Sequence, residues 1–212
     1  MKLYIGNKKY SSWSFRPWLA LKVKEVEFEE VLVPFEMATG NPKFREFSPT
    51  GKVPCLVDDG LVLPESLAIL EYLHDRFPDR GFWPDDIETR ARARAVSNEM
   101  HGGFGDLRNE CPTNWARDHY AIEVSDGVRK DVQRIEEIWD QALQQSGGPF
   151  LYGEFCNADA MFAPVVNRLE IYCLSNADSV MRYIKAMKAL PAWQEWEKAG
   201  IAEPWIVEED EA

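Results

Sequence analysis

An α/β domain followed by an all-helical one is the fold class the sequence predicts, and three observations predict it. Between residues 2 and 77, short apolar runs of strand composition alternate with helix-period segments. A break rich in Pro, Gly and Asp, FPDRGFWPDD at 77–86, then interrupts the chain. Beyond it the periodicity is helical almost throughout. The expected boundaries are 1–78 for the first domain, 79–86 for a linker and 87–212 for the second domain.

Residues 2–6, KLYIG, read as the first strand, and 7–13, NKKYSSW, as a polar loop. SFRPWLALKVKEV is a helix whose apolar face is Trp18, Leu19, Leu21, Val23 and Val26. Pro17 is tolerated in a first turn, where its missing N–H has no partner anyway, so the helix is expected to start near 12–14. Ser11 then lies just before it, and up to three hydroxyls gather at a positive helix end. FEEVLV at 28–33 is a second strand, and 34–47 a loop with a short helical piece around NPKFREF.

The stretch 48–66, SPTGKVPCLVDDGLVLPES, carries the most information. Gly51-Lys52 turns into Val53-Pro54, and Cys55-Leu56-Val57 forms a strand. Asp58-Asp59-Gly60 supplies a hairpin's positive φ angles, and Leu61-Val62-Leu63 returns antiparallel. Pro54 cannot donate to a ladder, so it belongs at an edge or entrance. The residues alone leave the Val53-Pro54 isomer open; a cis bond would turn the Val53 N–H and C=O outward, toward an extended peptide. Glu65-Ser66 stands at the mouth of a helix, LAILEYLHDRF. Ser66 and its neighbouring amides offer a seat for a carboxylate, and Glu65 a partner for an ammonium. Together they suit an α-amino acid end group. Taken singly, the same two residues read as a helix cap and a first-turn acid.

In the second domain one long helix is expected over 86–110, weakened at Gly102-Gly103. A second runs over 118–145, and GGPFLYGEF leads as a loop into a third, CNADAMFAPVVNRLEIYCL. VMRYIKAMKAL and PAWQEWEKAG complete the bundle, and the acidic tail EPWIVEEDEA is expected to fray.

Composition narrows the function. With 45% hydrophobic and 28% charged residues the chain is an ordinary globular sequence. Its net charge of −12, from 24 basic and 36 acidic residues, opposes nucleic acid and anionic membranes, and no basic stripe offsets it. An anionic small ligand therefore needs local cations, which draws attention to Lys52 and Arg16. Cys55, Cys111, Cys156 and Cys173 have no paired spacing, and His74, His101 and His119 are dispersed, so neither a metal site nor a disulfide framework is expected. No signal peptide or membrane-length apolar run is visible, and a cytoplasmic location is expected.

SPTGKVPCL resembles the NPxxxVPxL segment of the cytosolic glutathione S-transferases, and LPESLAILEYL resembles the helix that follows it there. GGPFLYGEFCNADAMFAP resembles the segment entering the central helix of their second domain. The likeness covers nearly the whole chain and implies a thioredoxin-like first domain. YSSWSFRPWLAL is similar to the serine-type SSCxxRxR segment of the zeta class and its bacterial relatives, which places Ser11 at the catalytic serine. Omega-type members carry a cysteine there, so attack by an enzyme thiol through that position is excluded. Trp13 stands where the zeta class has cysteine, and Pro17 also departs from it.

The resemblance further implies a cis Val53-Pro54 whose backbone pairs with the cysteinyl part of glutathione. Glu65 and Ser66 would hold the γ-glutamyl ammonium and carboxylate, and Lys52 the glycyl carboxylate. It implies a two-fold homodimer as well. Where the family opens its central helix with Ser or Thr, two residues, then Asp, this chain has Cys156-Asn157-Ala158-Asp159. Half of that capping box is lost, and Asn157 is expected to compensate by shifting the start.

A free thiol has a pKa near ~8.5, and lowering it by ~2 units takes roughly 2.7 kcal/mol of preferential thiolate stabilisation. One hydroxyl donor plus a helix N-terminus supplies that order of energy. Ser11 is the expected donor, Ser12 the runner-up, Ser14 a cap and Arg16 structural. The electrophile is expected between the SSW loop and helix 86–110, against Trp13, Met100, His101, Phe104, Leu107, Arg108, Cys111 and Trp115. The function these readings converge on is glutathione conjugation to small electrophiles. A glutathione-dependent cis–trans isomerase of the maleylacetoacetate type is the alternative. A non-catalytic, protein-binding member of the fold is a further one, which would not need both the serine loop and Glu65-Ser66.

Overall fold

The computed structural model describes residues 1–211. Its first part is a four-stranded sheet: β1 (Lys2–Ile5), β2 (Glu29–Leu32), β3 (Cys55–Asp58) and β4 (Leu61–Pro64) in the order β2-β1-β3-β4. α1 (Ser12–Val23) carries the chain from β1 to its parallel neighbour β2, the connection a parallel pair requires. β3 then joins β1 antiparallel, with Leu3 opposite Leu56. Leu3 and Ile5 alternate into the core with no exposed surface, as period two demands. The β3–β4 turn is the expected hairpin, with Asp59 and Gly60 both at positive φ (46° and 88°). α2 (Ser66–Arg76) follows β4, and a 3₁₀ turn at Pro78–Arg80 precedes the helical part.

That part contains α3 (Ile87–Gly102), α4 (Gly105–Glu110), α5 (Asp126–Ser146), α6 (Asn157–Ile171), α7 (Asp178–Lys188) and α8 (Pro191–Ile201). Every residue of α6 except Glu170 is buried, so this helix is the axis around which the others pack. α1 lies against it. Phe15, Trp115, Trp193 and Trp196 cluster there at ring separations of 4.9–5.4 Å, which gives these tryptophans their packing role. No described helix is long and apolar enough to cross a membrane.

Several expectations need correction. The single helix over 86–110 is two. Gly103 is extended, its N–H closes on the Glu99 carbonyl at 2.7 Å, and Phe104 takes a left-handed φ of 55° before α4 begins. A Cβ at Gly103 would stand 2.7 Å from the Glu99 carbonyl, so glycine permits the break. Residues 118–125 are not helical: the Tyr120 N–H bonds to the Ile171 carbonyl, and Ser125 caps α5. Pro17 lies in the second turn of α1, not the first.

Asn157 does not move the start of α6. Its side-chain amide donates to the Leu70 carbonyl at 3.0 Å, while Asp159 accepts from the Cys156 N–H at 2.9 Å. Both halves of the capping box are present, the Cys156 side chain accepting from the Asp159 backbone, so the expected loss of one half does not occur. The tail, finally, is not frayed. Glu203 accepts the N–H groups of Lys8 and Lys9 at 2.8 and 3.0 Å, and Val207 is buried. Two amides of a tight loop need acceptors, and this carboxylate supplies them.

Candidate active site

The loop between β1 and α1 is held from several sides. The Asn7 carbonyl accepts the N–H groups of Tyr10 and Ser11, and the Lys9 carbonyl accepts the N–H of Trp115 at 3.1 Å. The Asn7 side chain accepts the Phe35 N–H at 2.7 Å. With Glu203 beneath Lys8 and Lys9, the position of Ser11 is over-determined. Ser11 is the N-cap residue of α1 but makes no side-chain cap bond. Its hydroxyl donates instead to Ser14 Oγ at 2.7 Å, and Ser14 Oγ also accepts the Gly6 N–H at 3.1 Å. Ser14 is thus a buried bridge to β1 rather than the cap expected.

Two adjoining cavities open here, sharing Trp13, Lys52 and Val53. The first, about 330 Å³, is lined on the loop side by Tyr10, Ser11, Ser12 and Trp13, and on the far side by Arg108, Arg168, Val207 and Asp210. Its volume is within the range of small-molecule sites. The second, about 510 Å³, adds Thr50, Pro54, Glu65 and His101. The Val53-Pro54 bond at their junction is cis, as the family resemblance implies.

Glu65 sits at φ 86°, an uncommon conformation for a residue with a Cβ. Its carboxylate accepts the Ser66 N–H at 2.8 Å, the Leu67 N–H at 3.1 Å and the Ser66 hydroxyl at 3.1 Å. His101 Nε2 lies 2.9 Å from the same carboxylate. Burial pushes the Glu65 carboxyl up, but the His101 contact and the two amides outweigh it and hold it below the usual range. Ser66 itself is fully buried and lines neither cavity.

Three guanidinium groups stand under this region. Arg16 is fully buried, donates Nε–H to the Met161 carbonyl at 2.9 Å and stacks 3.8 Å from the Trp13 ring centroid. Neither of its Nη atoms has a hydrogen-bond partner. Burial, then repulsion from Arg168 and Arg108, pulls it well below an ordinary arginine, with Glu65 opposing. Arg168 donates Nε–H to the Cys111 carbonyl at 2.9 Å, leaves Nη1 unpartnered, and is lowered to about 10 by burial and Arg108. Arg108 is lowered by burial and donates to the Gly103 carbonyl. In a chain of net charge −12 this is a local positive well.

Of the residues singled out from the sequence, Ser11, Ser12, Trp13, Lys52, Val53 and Arg108 meet in the first cavity, and Pro54 and Glu65 join at the second. His101 lies beside Glu65 and lines the second cavity together with Trp13. Met100, Phe104, Leu107, Cys111 and Trp115 line neither cavity: all five are buried in the core. Apolar residues on a helix face are ambiguous between core and pocket, and here the core takes them. Sequence reasoning missed Tyr10, Arg168, Val207 and Asp210. The lone arginine in the apolar run APVVNRLEIY was a usable signal, since a buried cation needs a reason. Nothing local marked Val207 or Asp210.

Comparison with known proteins agrees with this geometry. A family model described as "Glutathione S-transferase, N-terminal domain" matches residues 10–76. A zeta-class glutathione S-transferase of Euphorbia esula is 30% identical over 171 residues, covering 78% of this chain and 75% of that one. Maleylacetoacetate isomerase of Rattus norvegicus is 29% identical over 191 residues, 87% of each. The crystal structure of a glutathione transferase homologue from Burkholderia, with bound glutathione, superposes with a TM-score of 0.72 at 27% identity, covering 94% of this chain and 96% of that one. Serine loop, cis Val53-Pro54 and the Glu65-Ser66 helix start occur together in a chain with these relatives, and it belongs to the glutathione S-transferase family.

Proposed function

We propose that this protein is a glutathione transferase that binds the tripeptide across Lys52, Val53, Pro54, Glu65 and Ser66 and activates its thiol at Ser11. The carrying observation is the Ser11 hydroxyl, held at the N-terminus of α1 in a cavity underlain by Arg16, Arg108 and Arg168. Ser11 rotates from Ser14 to donate to the sulfur, while the helix end and the guanidinium field favour thiolate over thiol. The thiol proton leaves to solvent, the thiolate attacks an electrophilic carbon, and the leaving group departs. Ser12, also on the wall of the first cavity, is the second-ranked donor.

At the other end, the γ-glutamyl carboxylate takes the α2 amides and Glu65 turns to the ammonium. Binding so exchanges one carboxylate for another at that helix end. We assign glutathione to 1–78, and the electrophile to the cavity that 87–212 closes across the linker 79–86, with Trp13 and Arg108 in its wall. The reading includes a two-fold homodimer in the cytoplasm. Exposed Leu61 and Val62 on β4 and Ile87 on α3 offer apolar surface for the dimer.

Glutathione-dependent cis–trans isomerisation uses the same thiolate, adding and eliminating across a double bond. The rat isomerase's 29% identity over 87% of both chains supports it as a second reading. Calorimetric titration of glutathione into wild type and Ser66→Ala tests the proposal. Binding that weakens sharply in the variant is expected, and no binding to wild type overturns it.

A further inference from the structure

The segment 203–211 crosses from α8 back over the first cavity and contributes two of its walls, Val207 and Asp210. It is built in, not loosely laid. Glu203 is bonded to Lys8 and Lys9, the Lys9 ammonium donates to the Trp205 carbonyl at 3.3 Å, and Val207 is buried. The Asn114 amide donates to the Asp210 carbonyl at 3.3 Å, and the Tyr10 hydroxyl donates to the Glu211 carboxylate. Contacts on both sides of Asp210 thus hold the segment in place, and Asp210 is the acidic residue of the cavity lining.

The same lining also carries cations. Arg168 is 3% exposed, and its Nη1 has no partner; Arg108 lies beside it in the same lining. Asp210 makes no ion pair with either, so a single carboxylate shares the lining of a cavity of small-molecule size with two guanidinium groups and the Lys52 side chain. A negative group on an incoming electrophile would be drawn to Arg168 and repelled by Asp210. A neutral electrophile would meet neither effect at first order.

Resting on the transferase reading above, we infer that Asp210 is a specificity-determining residue: it is a built-in counter-anion of the electrophile cavity that sets selection between carboxylate-bearing and neutral electrophiles by weakening the pull of the cations on a carboxylate. Its ionisation supports the role. Burial raises it to about 6; Arg168 pulls it back, while Glu209 and Glu211 on its own segment push it up further. Tyr10, Lys52 and Arg108 are the other ionisable groups in the lining of the cavity. The weakening is therefore strongest above that pH and relaxes below it.

The test uses two probes with one reacting centre, 4-chloro-3,5-dinitrobenzoate and its uncharged carboxamide. In each, the glutathione sulfur bonds to the ring carbon and chloride leaves with the C–Cl electron pair. In Asp210→Asn the ratio of kcat/KM for carboxylate over carboxamide is expected to rise about tenfold at pH 7.5, as removing one charge at such range predicts. In wild type that ratio should climb as pH falls through about 6, while in Asp210→Asn it should stay flat once thiolate formation is divided out. Asp210→Glu, which keeps the charge, should keep the low ratio. Turnover of both probes with an unchanged ratio in Asp210→Asn overturns the inference and leaves the transferase reading standing. No turnover of either probe by wild type overturns both, because a cavity that takes no electrophile selects none.

Discussion

His101 Nε2 lies 2.9 Å from Glu65 Oε1, and this contact joins α3 of the helical part to the first turn of α2. It ties the proposed ammonium-binding carboxylate to a residue of the helical part. Glu65 is at once the cap of α2, the partner of His101 and a wall of the second cavity.

Glutathione affinity should respond accordingly. Glu65→Ala removes a charge-assisted contact of ~1.5–3 kcal/mol, and a 10- to 100-fold weaker Kd by calorimetry is expected. His101→Ala should weaken binding by several fold, because Glu65 loses the group that orients it. An unchanged Kd in His101→Ala would remove that positioning role.

The same carboxylate makes a pH prediction. Its folded pKa is lowered, so its share of stability is fully present above the ordinary carboxylate value near ~4.3 and is lost as pH falls through the lowered one. Wild type and Glu65→Gln should therefore differ most in denaturant midpoint at pH 6–7, and the gap should close below about pH 4. A gap that widens on acidification would show that the sign is wrong.

For the serines, the 2.7 Å contact between Ser11 and Ser14 sets the order of effects. Ser11→Ala should cut kcat/KM by about 10²-fold and raise the pKa of bound glutathione by ~1–2 units, the size of one charge-assisted donor. Thiolate absorbance against pH reads that value directly. Ser12→Ala should change either quantity only a few-fold. A thiol pKa that moves in Ser12→Ala and not in Ser11→Ala would transfer the donor role to Ser12.

Much of this was legible in the chain because it is written locally. The Asp58-Asp59-Gly60 turn, the strand at Cys55 and the start of α1 at Ser12 follow from short-range propensity, and the structure has them close to where they were expected. Gly102-Gly103 announced a disturbance, but local composition does not distinguish a bend from a break; the break came with the left-handed turn at Phe104. Asp210 and Arg168 are 42 residues apart by their numbering, and they meet only because the segment after α8 is pulled onto the loop before α1. Such a meeting is a tertiary fact that no window of sequence contains. The same holds for Met100 and Trp115, whose side chains turned to the core and not to the cavity.

Asp159 should be among the most stability-critical polar residues. It is fully buried and accepts from the Leu151 N–H at 3.0 Å, the Cys156 N–H at 2.9 Å and the Tyr183 hydroxyl at 2.9 Å. Burial raises its carboxyl pKa despite those donors. Asp159→Ala strands three buried donors at the start of the central helix, so a loss of ~3–5 kcal/mol in urea unfolding is expected. Tyr183→Phe, which removes one donor and leaves the two amides satisfied, should cost only ~1 kcal/mol. Equal losses in the two variants would mean that the amide contacts contribute nothing.

The last prediction concerns Glu203, whose carboxylate is the acceptor for two consecutive amides of the serine loop. Those amides precede Ser11 by only two or three residues, so their restraint is transmitted directly to the hydroxyl's position. Glu203→Ala leaves the Lys8 and Lys9 N–H groups to find water, at a cost of ~1–3 kcal/mol if they stay buried. The loop can avoid that cost by opening. Amide hydrogen exchange at Lys8 and Lys9 should then accelerate well ahead of exchange in β1, and kcat should fall more than glutathione affinity, because Lys52, Val53 and Glu65 are untouched. Glu203→Gln keeps one amide acceptor and should recover part of both losses. If exchange at Lys8 and Lys9 in Glu203→Ala is as slow as in wild type, the loop does not depend on the closing segment for its conformation, and the coupling between that segment and Ser11 is lost with it.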